Sequence, residues 1–213
     1  MKDNKIDLYI SSLLEQSTDW AKQLEEYAIE QNVPIMEPTG IAFLQQLIRI
    51  KQPKKILEIG TAIGYSALQM VHAYPESKVL TIERDQVRFD QAKENIKQVG
   101  FEQQIELIFG DALETEGQVL NHAPFDLLFI DAAKGQYQRF FELYTPMLTE
   151  DAVIVTDNVL FKGFVAEPNQ ENKRIQKIAD KISKYNHWIA NQKDYHTIIL
   201  PIGDGIAITT KRK

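Results

Sequence analysis

The sequence predicts an α/β fold: a mostly parallel seven-stranded sheet with helices on both faces and a C-terminal antiparallel hairpin. Two observations carry that expectation. From Lys55 onward, short apolar runs alternate with amphipathic stretches, the pattern of strands joined by helical crossovers. The last two runs, at 195–200 and 206–210, are separated only by Pro201-Ile202-Gly203-Asp204-Gly205. That leaves no room for a helix, so the two must pair antiparallel.

Before the alternation begins, the chain is helical. Ile6, Ile10, Leu13 and Leu14, then Leu24, Tyr27 and Ala28, have helical spacing within 5–30. They predict two short helices interrupted near Ser17-Thr18-Asp19, where Ser17 or Asp19 can cap the second. A loop from Asn32 to Pro38 precedes a third helix carrying Ile41, Phe43, Leu44, Leu47 and Ile48, and Pro53 closes it. Strand-like runs follow at 56–59, 79–82, 105–109, 125–130 and 152–156, before the two hairpin runs. Of the intervening segments, 86–99 is the clearest helix: Val87, Ala92, Ile96 and Val99 share a face and Gly100 supplies the stop. A further amphipathic helix spans 171–187, with Ile175, Ile178, Ala179 and Ile182 inward. No repeat or linker divides the chain, so 1–213 reads as one domain, with N-terminal helices over 1–52 and a core over 53–213.

At 213 residues and 44% hydrophobic, the chain can bury a sizeable core. Its formal net charge of −6 does not advertise nucleic-acid binding, although a basic patch can sit on an acidic protein. The absence of cysteine excludes disulfides and thiolate metal sites and suits a reducing compartment. Met1-Lys2-Asp3-Asn4-Lys5 lacks the apolar core of a signal peptide, and no apolar run approaches a membrane span. The expectation is a soluble, cytoplasmic protein with no membrane partner.

Open α/β sheets bind ligands beyond the carboxyl ends of their strands, so the residues after each run matter most. The first run leads into Glu58-Ile59-Gly60-Thr61-Ala62-Ile63-Gly64-Tyr65-Ser66, whose two glycines allow a tight turn and close ligand approach. The G-x-G-x-x-G and P-loop spacings are both absent, so a nucleoside ligand without pyrophosphate suits it, and an ordinary βα turn competes equally. Glu83 follows the second run, where an acid can accept both ribose hydroxyls or simply favour a helix N-terminus. Asp111 and Ala112 follow the third run, a pair that can bind an adenine amino group or cap a helix.

The fourth and fifth runs end on Asp131 and on Asp157-Asn158. These are three hard oxygen donors, and three protein oxygens leave half of an octahedral Mg²⁺ shell for substrate and water. Without cysteine, and with no histidine nearby, zinc is disfavoured. Helix caps or turns are the competing explanation. Lys134, read as one helical turn beyond Asp131, can reach the same pocket, and near a cation its pKa should fall, making it a candidate general base.

These residues resemble the cation-dependent, S-adenosylmethionine (SAM)-dependent O-methyltransferases of the catechol and caffeoyl-CoA type. The matching features are the loop at 58–66, Glu83, the G-D-A at 110–112, F-I-D-A-A-K at 129–134, D-N-V-L at 157–160 and L-P-I-G-D-G at 200–205. The resemblance implies a Rossmann-like class I methyltransferase. Glu58, Gly60, Ser66 and Met36 would bind the methionine part of the cofactor, Glu83 the ribose, and Asp111 with Ala112 the adenine. Asp131, Asp157 and Asn158 would bind Mg²⁺ or another divalent cation such as Mn²⁺. Asp131 would also bind the cofactor, and Lys134 and Asp131 would be catalytic.

Within that family the chain looks most like bacterial tRNA 5-hydroxyuridine methyltransferases, which act at the wobble position of the anticodon loop. Ala132-Ala133 are smaller than the residues found there in catechol enzymes and leave a wider entrance. The alternative acceptor is a catechol-like small molecule, since both acceptors present adjacent oxygens to one metal. A nicotinamide-dependent dehydrogenase is the reading from another class, disfavoured by the missing glycine spacing. RNA would need basic surface; the candidates are Lys51, Lys54, Lys55, Lys162, Lys173, Arg174, Lys177, Lys181, Lys184 and the tail Lys211-Arg212-Lys213. Phe161 and Phe164 can stack a flipped base or serve as core. The resemblance also implies a homodimer.

Overall fold

The computed structural model describes residues 4–167 and 172–213. Met1, Lys2 and Asp3 of the N-terminal expectation, and residue 171 of the expected late helix, lie outside the described residues. The strands are β1 (Lys55–Ile59), β2 (Lys78–Glu83), β3 (Ile105–Phe109), β4 (Phe125–Ile130), β5 (Leu148–Thr156), β6 (Tyr195–Leu200) and β7 (Ile206–Lys211). They form one seven-stranded sheet in the order β3-β2-β1-β4-β5-β7-β6. β1 to β5 are mutually parallel, and β7 is antiparallel to both β5 and β6.

Side-chain alternation explains why both faces are covered. Ile56, Val79, Leu127, Phe129 and Val155 point into one buried cluster. That cluster is closed by α2 (Asp19–Glu30), α3 (Pro38–Lys51), α4 (Tyr65–Ala73) and α5 (Gln86–Val99), through Leu24, Leu44, Leu68 and Ile96. Leu57, Ile59, Leu80, Leu128, Ile130 and Ile154 point the other way. They meet α6 (Glu116–Leu120), α7 (Tyr137–Tyr144) and α8 (Lys173–Ala190), through Val119, Phe141, Tyr144, Ile182 and Ile189. A fully buried side chain of this size contributes about 1.5–3 kcal/mol relative to exposure. Strands buried on both faces therefore read as continuous apolar runs.

The helices depart from expectation in small, explicable ways. α1 (Asn4–Ser12) and α2 are separated where expected, but Thr18 is the N-cap of α2 and makes no side-chain cap bond. Asp19 instead lies in the first turn, where its charge suits the helix dipole. α5 has the expected bounds, and Gly100 ends it at φ 84°. Val87 is 75% exposed and lies off the inner face, which Ala92, Asn95 and Ile96 make. β5 begins four residues earlier than its apolar run, at Leu148, which pairs with Phe125 across a register shift, and its polar start Thr149-Glu150-Asp151 hides that extension. In α8, Ala179 and Ile182 are buried and Lys173, Arg174, Lys177, Lys181 and Lys184 are exposed. No helix among the described residues is long and apolar enough to cross a membrane.

β1 pairs with β2 on one side and β4 on the other, so the chain reverses direction across the sheet between β1 and β4. A crevice at the carboxyl ends of these strands follows from that topology.

Candidate active site

A cavity of about 500 Å³ opens at this end of the sheet, within the usual range for small-molecule sites. The end of each of the first five strands contributes a residue: Gly60, Glu83, Asp111, Asp131 and Asp157 all line it.

Gly60 must be glycine. Its φ is 102°, and a Cβ there would lie 2.0 Å from the backbone oxygen of Asp131. The β1 turn and the β4 end are therefore in backbone contact, which an L side chain would force apart. Gly64, at φ 85°, then starts α4. Behind the turn, Glu58 is fully buried and accepts hydrogen bonds from Ser66 and, at 2.5 Å, from Thr81. Burial raises its carboxyl to about 7 despite those hydroxyls, and the charges of Asp131 and Glu83 add to the rise. Glu58 and Ser66 thus lock the turn from beneath and do not line the cavity.

Glu83 holds the same turn from the side. Its Oε2 accepts the Ala62 N–H at 2.8 Å, and its Oε1 accepts those of Arg84 at 2.9 Å and Asp85 at 2.8 Å. Oε2 keeps acceptor capacity for a ligand hydroxyl. Asp85, not Glu83, caps α5. Asp111 makes a local turn, its Oδ1 accepting Leu113 N–H at 2.9 Å, and it is not a helix cap, since Thr115 precedes α6.

The fourth and fifth strand ends converge. The Asp131 N–H donates to Ile59 O and the Asp157 N–H to Ile130 O, each at 3.0 Å, so sheet pairing carries both aspartates to the same place. Tyr137 fixes the Asp157 backbone from below by donating to its carbonyl at 3.0 Å. Asn158, at φ 57°, turns its amide so that Nδ2 donates to Asp157 Oδ2 at 3.0 Å. Lys134 Nζ donates to Asn158 Oδ1 and stands 5.8 Å from the centre of the Phe161 ring.

Electrostatics at this corner are strained. Burial and then the charge of Asp131 raise the Asp157 carboxyl to about 8. Asp131 is also raised, by burial first, with Lys134 opposing and Asp204 adding. Burial lowers Lys134, although Asp131, Asp204 and Asp157 pull it back up. Three carboxylates act on one another across a single half-buried lysine, so added positive charge would relieve the corner. That charge imbalance and an all-oxygen donor set fit a hard divalent cation. No group of three or more His, Cys, Asp or Glu in metal-binding arrangement occurs among the described residues. The candidate set is two carboxylates and an amide whose oxygen Lys134 engages.

The structure therefore brings Gly60, Glu83, Asp111, Ala112, Asp131, Lys134, Asp157 and Asn158 to one cavity. It does not bring Met36, which is buried in the core with its methyl group against Gly40; Pro34 and Ile35 of the same loop line the cavity instead. Lys134 is on a loop and not on a helix, because α7 begins only at Tyr137. Arg84, Arg88, Gln136 and Phe140 also line the cavity. A basic pair four residues apart, directly after Glu83, was the available signal for the arginines.

Residues 11–212 match the model of a protein family described as O-methyltransferase. A catechol O-methyltransferase of Niastella koreensis is 32% identical over 176 residues, which cover 80% of each chain. A Staphylococcus aureus structure provisionally assigned as a caffeoyl-CoA O-methyltransferase matches with a TM-score of 0.88 at 39% identity, over 99% of both chains. An O-methyltransferase from Bacillus cereus in complex with SAH matches with a TM-score of 0.83 at 28% identity, over 98% of this chain and 97% of that one.

Proposed function

The chain belongs to the O-methyltransferase family, and from that premise we propose a SAM-dependent transfer to a hydroxyl with a second oxygen on the adjacent carbon. The acceptor is a catechol-like small molecule, and Asp131, Asp157 and Asn158 hold a divalent cation, Mg²⁺ or Mn²⁺. The observation that carries this reading is the convergence of those residues and Lys134 beside the Gly60 turn. The Bacillus relative's complex with SAH supports SAM as donor, and the name of the Niastella relative supports the acceptor.

SAM supplies an electrophilic methyl group on a sulfonium. Glu83 Oε2 would accept from its ribose and Asp111 with Ala112 would meet its adenine, all three lining the cavity, and the Gly60 turn would let the backbone approach it closely. When bound, the cation supplies Lewis acidity that lowers an acceptor hydroxyl's pKa. Lys134, its own proton affinity weakened by burial, takes the hydroxyl proton or steers the resulting oxyanion. Pro34, Ile35 and Phe140 give the cavity an apolar part of its wall.

A second reading keeps tRNA 5-hydroxyuridine as acceptor, and one observation favours it. Lys181, on the basic face of α8, lies against the loop that carries Lys134: a Cβ at Gly135, the next residue, would lie 3.1 Å from Lys181 Nζ. Other candidate phosphate contacts are engaged internally, Lys51 with Asp151 and Lys211 with Glu150, both at 2.7 Å, and Lys55 with the His122 carbonyl. Phe161 and Phe164 pack edge to face, 5.9 Å apart. For the homodimer, α1 offers the exposed Ile6, Leu8 and Tyr9, with Leu13 just after it, as the proposed contact, which light scattering would test.

The deciding experiment supplies labelled SAM and Mg²⁺ with catechol and, separately, with tRNA containing 5-hydroxyuridine. Label in catechol alone supports the first reading. Label in tRNA alone replaces it with the second.

A further inference from the structure

We propose that Asp204, in the turn between β6 and β7, is a positioning residue that holds the segment 158–163 in the geometry presenting Asp157 and Asn158 to the cavity. This rests on the reading above that those two residues serve a cation.

The segment is costly to form by itself. Asn158, Phe161 and Lys162 all have left-handed backbone, at φ 57°, 48° and 56°. Residues with a Cβ occupy that region only where their surroundings over-determine it. Here the surroundings are the β6–β7 turn. Val159 N–H donates to Gly205 O at 2.9 Å, and Leu160 and Phe161 donate to Asp204 O at 2.9 and 3.3 Å. Lys162 N–H donates to the Asp204 side chain. Two residues of one turn thus receive every backbone donor from 159 to 162.

Asp204 supplies three of those four acceptor contacts, one through its carboxylate. Gly205 lets the turn come this close, since a Cβ at its φ of 88° would lie 2.3 Å from Leu160 Cγ and 2.7 Å from Leu160 N. On the far side, Asn186 Nδ2 donates to Val159 O at 2.7 Å, and Val159 is fully buried. The segment is clamped at its base by α8 and along its length by the turn. Asp204 also bears electrostatically on Asp131, Lys134 and Asp157, so a test must separate its charge from its hydrogen bond.

Asp204→Asn keeps the Oδ1 acceptor and removes the charge, Asp204→Ala removes both, and Gly205→Ala displaces the turn while leaving the carboxylate. Two readouts apply to the full chain without SAM: calorimetric titration with Mn²⁺, and amide hydrogen exchange of residues 159–162. Asp204→Ala is expected to weaken Mn²⁺ binding by about 10–100-fold, as loss of an outer partner of a metal ligand does, and to speed exchange most at Lys162, whose acceptor it removes, and less at Phe161, whose backbone acceptor it keeps. Gly205→Ala should speed the same amides, and Asp204→Asn should stay close to wild type in both readouts. Wild-type exchange in Asp204→Ala, or in Gly205→Ala should the alanine variant not fold, would overturn the proposal. So would an Asp204→Asn variant as impaired as Asp204→Ala, since charge and not positioning would then be at work. A wild-type chain that binds no Mn²⁺ would sink the cation reading alone, and the exchange rates would still decide the role of Asp204.

Discussion

Lys134, in the loop after β4, donates to the side-chain oxygen of Asn158 after β5, and Asn158 in turn donates to Asp157 at 3.0 Å. The chain links residues 24 apart in sequence across two strand ends and puts a weakened base beside two raised carboxylates. Replacing Lys134 with Met keeps the length of the side chain and removes the amine. Turnover should fall by about 10²–10⁴-fold, the usual worth of a positioned acid or base, with SAM affinity unchanged by titration. Unaltered turnover would leave Lys134 a structural bridge only.

Gly60→Ala places a methyl group 2.0 Å from the Asp131 carbonyl oxygen. The left-handed backbone alone costs about 1–3 kcal/mol, and displacement of β4's end adds to it. Urea denaturation should show that loss together with a collapse of SAM affinity. A variant with wild-type stability and binding would mean that the two strand ends are not in contact.

Stability should depend on pH through Glu58 and Asp157. Both carboxyls are raised by burial, to about 7 and about 8, above their ordinary values of 4.5 and 3.8. The folded state therefore holds protons that the unfolded chain has released, so stability falls as pH rises through this window and levels off above it. For Glu58 the difference corresponds to about 3 kcal/mol at 1.36 kcal/mol per unit. The urea midpoint of the cation-free protein should drop between pH 5 and 8.5, and Glu58→Gln should flatten part of that drop. An identical pH profile in the variant would contradict the raised carboxyl.

Glu83→Ala removes the acceptor for three backbone N–H groups as well as a proposed ribose contact. Stability should fall by about 1–3 kcal/mol, and SAM should bind about 10–100-fold more weakly, as loss of a charged hydrogen bond predicts. A stability loss with intact SAM affinity would restrict Glu83 to holding the turn.

Much of this site was legible in the sequence because strand ends in a parallel sheet converge regardless of what lies between them. The apolar run into Asp131 and the one into Asp157-Asn158 were enough to place both aspartates, since β4 and β5 pair directly. Met36 was misplaced because a loop residue's direction depends on packing, and its neighbours Pro34 and Ile35 face the cavity instead. Lys134 reached its partner without the expected helical turn. Asp204 was visible only as part of a matching motif. Its contact with Lys162 spans 42 residues and depends on the hairpin folding back over the β5 end, which no local pattern encodes.

Methyl transfer from labelled SAM to catechol, measured after EDTA treatment and again after Mg²⁺ is restored, tests the two-strand cation site most directly. Transfer should disappear with EDTA, return with Mg²⁺ and be absent in Asp157→Ala, while SAM binding survives all three conditions. Undiminished transfer in EDTA, or in Asp157→Ala, would contradict the site.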